Sequence, residues 1–377
     1  MKKKLYWKNI KNYFLNKNSM FERIAEVQDA LGREKLDALV VTNSASIFYL
    51  TSFGDPINER GFFLVISKDN FKLITSIFHQ FKVKGKVPEE NLMIVQRGNS
   101  CFQRVLYEVK GFERVGFERE DLSYSEYELL KNSLGDKKMV FCHELVEAIR
   151  EIKTAEEIEK ISRAADITDK AFCEILNAIK PGVTEMQIKR KIIEIMEDAG
   201  ADGVAFEPIV ASGRGSADPH YRYSRDKIEI GEMVLLDIGA RYQGYCADLS
   251  RTVFVGKAPE RFKKLYDIVL ETQGLAIAQC REGIAIKESS LAAIENFKKY
   301  EEEEFFIHSL GHGVGVEVHD FPFISPKNEN KFKNGMVFAI EPGLYHGEFG
   351  GIRIEDLCLI DGDCRLLSKA PKNIIEL

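Results

Sequence analysis

The sequence lacks the features that mark several classes of protein. Its seven cysteines are scattered and include no C-x-x-C pair, which excludes a disulfide-built scaffold and a zinc-finger module. No apolar run approaches the ~20 residues that cross a bilayer, so we expect no stable membrane insertion. The 59 acidic residues exceed the 53 basic ones and leave a net charge of −6, so we expect no nucleic-acid partner. Scattered thiols of this kind are typical of a cytoplasmic chain.

The chain has enough residues and apolar side chains for two domains with separate cores. It contains 377 residues, of which 45% are hydrophobic. Residues 1–19 form a basic tail, in which lysines are frequent, acids are missing and the apolar stretch of a signal peptide is absent. Two interpretations of the tail stay open: a simple extension ahead of the first helix, or a helix that lies on an anionic membrane surface.

The apolar pattern at the start of the chain predicts an α/β domain. Apolar residues at helical spacing run from Phe21 to Leu31, and Leu36–Val41 follows as a buried strand. We place this first domain at residues 20–140 and the second at residues 141–377.

The second domain begins with two well-marked helix starts. Thr154 and Thr184 are each followed three residues later by Glu157 or Gln187, the pattern of a capping box. From there the order helix, helix, sheet occurs twice. This order predicts two similar halves that face each other, in an α+β or α/β chain of two domains.

Four carboxylates lie inside apolar sequence that predicts strands. They are Asp237, Asp248, Glu341 and Glu355. Because burial of an unpaired carboxylate costs several kcal/mol, each of them needs a positive partner. An arginine partner or a surface position would account for any one of them, but a shared cation site accounts for all four.

Histidines are concentrated in the same domain. Four of the seven histidines are His220, His308, His312 and His319. Glycines on both sides of His312 allow the backbone to approach a bound group closely.

The charges of the candidate ligands indicate two metal ions, because four carboxylates balance two divalent cations. Oxygen ligands with one imidazole suit Mn²⁺, Co²⁺ or Fe²⁺ at least as well as Zn²⁺. Such a pair of ions activates water for hydrolysis, and Arg353, on the same strand face as Glu355, is placed to orient a carboxylate or stabilise an oxyanion.

Five segments resemble, in this order, the motifs of the M24-type metallopeptidase superfamily, which contains aminopeptidase P, prolidase and methionine aminopeptidase. They are Asp237-Ile238-Gly239-Ala240, Ala247-Asp248-Leu249-Ser250-Arg251-Thr252, His308-Ser309-Leu310-Gly311-His312-Gly313-Val314-Gly315, Ile340-Glu341-Pro342-Gly343 and Arg353-Ile354-Glu355-Asp356. The resemblance covers nearly the whole chain. It implies a creatinase-like α/β N-terminal domain followed by a pita-bread catalytic domain, and a homodimer.

The resemblance also implies a role for each candidate residue. Asp237 would chelate one metal, and His312 and Glu341 would bind the other. Asp248 and Glu355 would bridge the two ions. The nucleophile would be a hydroxide that bridges the two metals. Glu341 would also take a proton from the water that becomes this hydroxide and give it to the leaving proline nitrogen. The other implied positions are His220, His308, His319 and Arg353 as catalytic or orienting groups, and Phe206, His220, Tyr345 and Phe323 at the substrate.

The implied activity is cleavage of a proline-containing peptide before its proline. In prolidases the position of Phe323 holds an arginine that grips the carboxylate of a dipeptide, so we expect an Xaa-Pro aminopeptidase, with an Xaa-Pro dipeptidase as the alternative. A non-catalytic pita-bread binding module is a remote alternative, because all five metal ligands are present.

Ser250 stands where the superfamily has threonine, a change expected to matter little. The expected cofactor is two divalent ions, Mn²⁺ first, with Co²⁺, Zn²⁺ or Fe²⁺ as alternatives.

Overall fold

The computed structural model describes residues 20–54, 61–118, 121–135, 138–142, 144–222 and 225–377. The predicted basic tail, residues 1–19, lies outside this part of the chain. Two compact units make up the structure: the first ends at Arg150, and the second covers Glu151–Leu377. The domain bounds drawn from the sequence stay a prediction. Among the described residues, no helix combines the length and the apolarity that a bilayer crossing requires.

The first unit is built around one mixed sheet. Its helices are α1 (Met20–Glu34), α2 (Ser44–Thr51), α3 (Gln80–Val83), α4 (Cys101–Val109), α5 (Tyr124–Leu134) and α6 (Leu145–Arg150). Its strands are β1 (Ala38–Val41), β2 (Phe62–Ser67), β3 (Phe71–Ser76), β4 (Leu92–Val95), β5 (Val115–Glu118) and β6 (Met139–Cys142). The strand order is β4-β3-β2-β1-β5-β6, with β1 parallel to β5 and antiparallel to β2.

The predicted opening of this unit is confirmed, with one difference. Ile24, Val27 and Leu31 form the buried stripe of α1, and all four residues of β1 are buried. Phe21 belongs to the same helical pattern but is exposed, since it lies in the first turn and only touches the ring edge of Phe71.

A buried carboxylate at the end of β5 makes the stability of the first unit depend on pH. Burial raises the pKa of Glu118 from 4.5 to about 8, and Glu147 adds to the rise. Its Oε2 accepts hydrogen bonds from the amides of Thr42 (2.6 Å) and Asn43 (2.8 Å), while Oε1 has no partner among the described residues. The protonated carboxyl is therefore favoured in the folded state, so its contribution is fully present below pH 4.5 and is lost as pH rises toward 8.

We expect Glu118→Gln to remove this pH dependence. Glutamine keeps an oxygen for the two amides but carries no charge, so the variant should lose none of its stability between pH 5 and pH 8 through this group, whereas the parent protein loses up to about 1 kcal/mol per pH unit. Hydrogen exchange of the β5 and α2 amides in the full chain measures the effect. Glu113→Gln, at an exposed partner of Lys138, is the matched control. Equal pH profiles for parent and Glu118→Gln would contradict the assignment.

The second unit contains longer helices and several small sheets. Its helices are α7 (Ala155–Ile175), α8 (Glu185–Asp198), α9 (Glu260–Ala278) and α10 (Ile286–Lys299). Its strands are β7 (Gly203–Val204), β8 (Ile209–Ser212), β9 (Met233–Ile238), β10 (Ala240–Tyr242), β11 (Tyr245–Cys246), β12 (Leu249–Phe254), β13 (Gly311–Gly313), β14 (Asp320–Ile324), β15 (Val337–Ile340), β16 (Gly343–His346), β17 (Gly350–Arg353), β18 (Asp356–Asp361) and β19 (Asp363–Leu366).

The predicted repetition of helix, helix and sheet is present in this unit. In the first half, α7 and α8 pack on the sheet β12-β9-β8, and both helices begin with the predicted capping boxes. In the second half, α9 and α10 pack on the sheet β14-β13-β15-β18-β19. Each half thus buries one sheet face under a helix pair, which leaves the other face free to form a site.

A hairpin that turns at Tyr242-Gln243-Gly244 orders the first half of the site. β9 and β12 pair antiparallel, with Asp237 opposite Ser250, and the shorter β10 and β11 extend the hairpin to the turn. A Cβ atom at Gly239 would collide with the carbonyl oxygen of Ala247 and with the ring of Phe206. Glycine is therefore required here, because the two strands come together where they deliver their carboxylates.

Candidate active site

Strand ends of both halves deliver the predicted metal ligands to one cavity. Asp237 is on β9, Asp248 directly precedes β12, His312 is on β13, Glu341 directly follows β15, and Glu355 lies between β17 and β18. All five line a cavity of about 460 Å³ in the second unit. The structure thus brings together side chains that are as far apart in sequence as Asp237 and Glu355.

The donor atoms of these residues fit a metal centre. Ligand atoms of Asp248, His312 and Glu355 all lie within 4.8 Å of one another. Nε2 of His312 is 3.6 Å from Oδ2 of Asp248 and 3.5 Å from Oε1 of Glu341. Among the described residues, Oδ1 of Asp237, Oδ1 of Asp248 and Oε1 of Glu355 are buried without a hydrogen-bond partner. Buried carboxylate oxygens of this kind, beside an imidazole, are suitable ligands for divalent cations.

The electrostatics of the cluster indicate missing positive charge. Burial, reinforced by Glu355, raises the pKa of both Asp248 and Glu341 well above the usual range. Burial and Asp237 raise the pKa of Glu355 to about 8. Burial, with His319 nearby, lowers the pKa of His312 to about 4, so this imidazole is neutral and able to act as a ligand. Divalent cations would relieve the repulsion among the carboxylates.

Arg353 and Ser250 hold two of the predicted ligands in place. The Arg353 guanidinium donates to Oδ2 of Asp237 (2.5 Å) and to Oγ of Ser250 (2.7 Å). The Ser250 hydroxyl in turn donates to Oε2 of Glu355 (2.6 Å). The sequence treated Ser250 as a minor departure, but the structure makes it the link between Arg353 and Glu355. Its position two residues after Asp248, at the start of β12, was the available signal in the sequence.

His308 and Tyr345 extend this network away from the carboxylates. Nδ1 of His308 donates to the carbonyl oxygen of Ser309 (2.7 Å), so Nε2 accepts from the Tyr345 hydroxyl (3.0 Å). The Tyr345 oxygen also accepts a hydrogen bond from Nη1 of Arg353 (2.8 Å). Burial and Arg353 lower the pKa of His308 to about 4, which keeps it neutral. Tyr345, predicted at the substrate, lies behind Arg353 rather than in the cavity wall.

The other residues predicted as catalytic, orienting or substrate-binding groups line the cavity. They are Phe206, His220, His308, His319 and Phe323. The ring of His319 packs edge-on against His312, with ring centroids 4.3 Å apart. Phe323 is opposite His312 on the neighbouring strand and is 47% exposed. The roles assigned to these residues stay predictions, but all five lie in the wall of one cavity.

Comparison with known proteins agrees with this geometry. A family model described as metallopeptidase family M24 matches residues 159–362, and a model described as the creatinase/prolidase N-terminal domain matches residues 23–152. The chain belongs to metallopeptidase family M24. Its architecture is therefore a creatinase-like N-terminal domain followed by a pita-bread catalytic domain, as expected from the motifs.

Relatives of this M24 metallopeptidase match it from end to end. It is 34% identical over 357 residues to an Xaa-Pro dipeptidase of Pyrococcus furiosus, covering 94% of this chain and 100% of the relative. The structure of an Xaa-Pro dipeptidase from Bacillus anthracis has a TM-score of 0.88 at 33% identity, covering 95% and 100% of the two chains. The structure of an X-Pro aminopeptidase from Thermotoga maritima has a TM-score of 0.80 at 32% identity, covering 93% and 100%.

Sequence reasoning missed one charged residue in the cavity wall of this M24 metallopeptidase. Glu207 lines the cavity beside Phe206 and forms an ion pair with Lys189 of α8. In the sequence Glu207 is a single glutamate beside a proline, with no histidine nearby, so it matches no catalytic or metal-binding motif. Only the fold brings it into the cavity that the predicted metal ligands also line.

Proposed function

We propose that this metallopeptidase is an Xaa-Pro dipeptidase that uses two divalent ions. The observation that supports it best is the end-to-end match to relatives named Xaa-Pro dipeptidase. We propose Mn²⁺ as the metal, with Co²⁺, Zn²⁺ or Fe²⁺ as alternatives, because the ligands are oxygens with one imidazole. A cytoplasmic homodimer is part of the proposal, and the seven free cysteines are consistent with a reducing compartment.

The five predicted ligands would hold the ions in the positions implied by the motifs. When bound, such ions polarise the scissile carbonyl and make water more acidic. Asp237 is oriented for this task by Arg353, and Glu355 by Ser250. The Ser250–Glu355 contact is buried and the Arg353–Asp237 contact is partly buried, so both shield the carboxylates' orientation from solvent before substrate arrives.

Glu341 is the candidate for proton transfer. Its carboxylate lies between His312, at 3.5 Å from Oε1, and Arg353, at 3.9 Å from Oε2. It also lines the cavity, which supports a role at the scissile bond of a bound peptide. A carboxylate here takes a proton from the attacking water and delivers it to the proline nitrogen as that nitrogen leaves. The imidazoles of His220 and His319, in the same wall, are placed to donate hydrogen bonds to the substrate's oxygens.

An Xaa-Pro aminopeptidase is the second candidate, and Phe323 favours it. The side chain at this position lies in the cavity wall but carries no charge that would hold a dipeptide carboxylate. Similarity to the Thermotoga maritima X-Pro aminopeptidase is consistent with this reading. Under the dipeptidase proposal, His220 and His319 bind that carboxylate instead.

Hydrolysis of Gly-Pro and Gly-Pro-Ala by metal-stripped protein, with Mn²⁺, Co²⁺ and Zn²⁺ added back in turn, distinguishes the two candidates. Faster turnover of the dipeptide supports the proposal. Turnover of the tripeptide alone would replace it with the aminopeptidase. Absence of turnover on both substrates with every metal would leave the binding module as the better interpretation.

Phe323→Arg is expected to raise kcat/KM for Gly-Pro relative to Gly-Pro-Ala by about tenfold. An arginine in the cavity wall would form a charge-assisted hydrogen bond with the dipeptide carboxylate, which in a tripeptide is displaced by one residue. Phe323→Leu removes the ring without adding charge and controls for lost packing. An unchanged ratio in the arginine variant would show that the carboxylate binds elsewhere.

A further inference from the structure

Glu207 is a charged group in the cavity wall that the proposed chemistry does not use. Its side chain is 66% exposed, while its partner Lys189 is only 3% exposed. Glu207 lines the cavity and Lys189 does not, so the acidic member of this ion pair is the one in the cavity wall. An ion pair oriented in this way presents its negative end to a substrate.

The backbone around Glu207 is held firmly against the site. Phe206, its neighbour, packs against Gly239, and Ile209 pairs with Asp237 in the adjacent strand. On the other side, Glu185 of α8 accepts hydrogen bonds from the amide and the hydroxyl of Ser212, both at 2.8 Å. Glu207 thus lies in the short link between β7 and β8, two residues before Ile209, which is paired with Asp237.

The remaining cavity charges leave Glu207 as a source of negative potential. Two divalent ions would balance the four carboxylates of the metal cluster, Asp237 included, and the hydroxide expected with those ions would balance the guanidinium of Arg353. Glu207 is not part of that cluster, and its partner Lys189 is buried and does not line the cavity. A substrate group close to Glu207 therefore experiences attraction if it is positive and repulsion if it is negative.

The direction in which a dipeptide binds follows from the same charge. An Xaa-Pro dipeptide has a carboxylate on its proline, which is repelled by Glu207 and so binds at the opposite end of the cavity. The residue before proline, with its free ammonium, then lies nearest Glu207. This step rests on the proposed function.

We infer that Glu207, backed by Lys189, selects substrates by the charge of the residue before proline, with basic residues favoured over acidic ones. The substrate class assigned is Xaa-Pro in which Xaa is lysine or arginine. Acidic residues at this position are disfavoured because they would face the exposed carboxylate of Glu207.

The test compares kcat/KM for Lys-Pro and Glu-Pro with the metal-loaded full chain. We expect a ratio of about ten in favour of Lys-Pro at low ionic strength, since one extra charge contact in a partly exposed site discriminates by about this factor. Glu207→Gln should bring the ratio to about one or reverse it, because Lys189 keeps its charge. Raising the salt concentration should reduce the ratio in the parent protein and leave it nearly constant in the variant.

Glu194→Gln is the matched control. Glu194 also lies on an exposed carboxylate–lysine pair of α8, with Lys191 at 2.9 Å, but it is outside the cavity wall. This variant should keep the parent ratio. Equal ratios in the parent protein and in Glu207→Gln would overturn the inference, as would a parent ratio that favours Glu-Pro.

The kinetic test separates a failure of the proposed dipeptidase function from a failure of the role inferred for Glu207. If only tripeptides are cleaved, the dipeptidase proposal fails, and the charge preference is measured as the ratio of Lys-Pro-Ala to Glu-Pro-Ala. A ratio near one on whichever length is cleaved overturns the role of Glu207 alone.

Discussion

Asp248→Asn is expected to lower kcat/KM by roughly a thousandfold, about 4 kcal/mol in the transition state. Asp248 is buried, its Oδ1 has no hydrogen-bond partner among the described residues, and its Oδ2 is 3.6 Å from Nε2 of His312. Asparagine has nearly the same shape but no charge, so it would weaken the binding of both ions that a bridging carboxylate holds. Steady-state kinetics and metal analysis of the same preparation measure the two effects together.

In the metal-free protein, Asp248→Asn should raise the stability of the second unit. Burial and the neighbouring carboxylates Glu355, Asp237 and Glu341 raise the pKa of Asp248, which means that its ionised form is unfavourable in the empty cluster. A neutral asparagine removes this repulsion. In the presence of a chelator, the second unit of the variant should therefore unfold at a higher temperature than that of the parent protein, and with metal at a lower one.

Asp267→Asn is the control for the first prediction. Asp267 is an exposed residue of α9, distant from the cavity wall. Its replacement should leave activity, metal content and both unfolding temperatures close to those of the parent. If Asp248→Asn kept most of its turnover with full metal content, Asp248 would not be a bridging ligand.

Arg353→Met is expected to lower the free energy of unfolding by about 3 kcal/mol and kcat/KM by about a hundredfold. Arg353 is only 3% exposed and donates to Asp237, Ser250 and Tyr345. Methionine fills much of the space but leaves three buried polar groups without their donor. Asp237 and, through Ser250, Glu355 would lose their fixed orientation. Chemical denaturation and steady-state kinetics of the metal-loaded protein measure the two losses.

Two further arginine variants separate charge from geometry. Arg353→Lys keeps a positive charge beside Asp237 but cannot make three directed hydrogen bonds, so its losses should be intermediate. Arg214→Met removes an arginine that is 74% exposed and pairs with Glu348, and it should change the free energy of unfolding by less than about 0.5 kcal/mol. Equal stability of Arg353→Met and Arg214→Met would show that the buried network contributes nothing.

Local patterns determined much of the architecture. The capping boxes at Thr154 and Thr184 satisfy backbone amides within one helical turn, so they predicted the starts of α7 and α8 without knowledge of the fold. Apolar strands predicted the sheet of the first unit in the same way. The carboxylates Asp237 and Glu341 were recognisable because they interrupt such strands, where an unpaired charge is costly.

Contacts between distant parts of the chain were decided only by the tertiary structure. The link from Arg353 through Ser250 to Glu355 depends on the pairing of β9 with β12 and on the return of the chain at β17. The same folding takes Tyr345 behind Arg353 and brings Glu207 into the cavity wall. Single residues of this kind carry no periodic signal, because their roles arise from side-chain directions and burial that exist only after the strands have paired. The sequence by itself thus determined the secondary structure and the chemistry of the predicted metal ligands, whereas three-dimensional packing decided which groups orient those side chains and which further charge lies in the cavity wall.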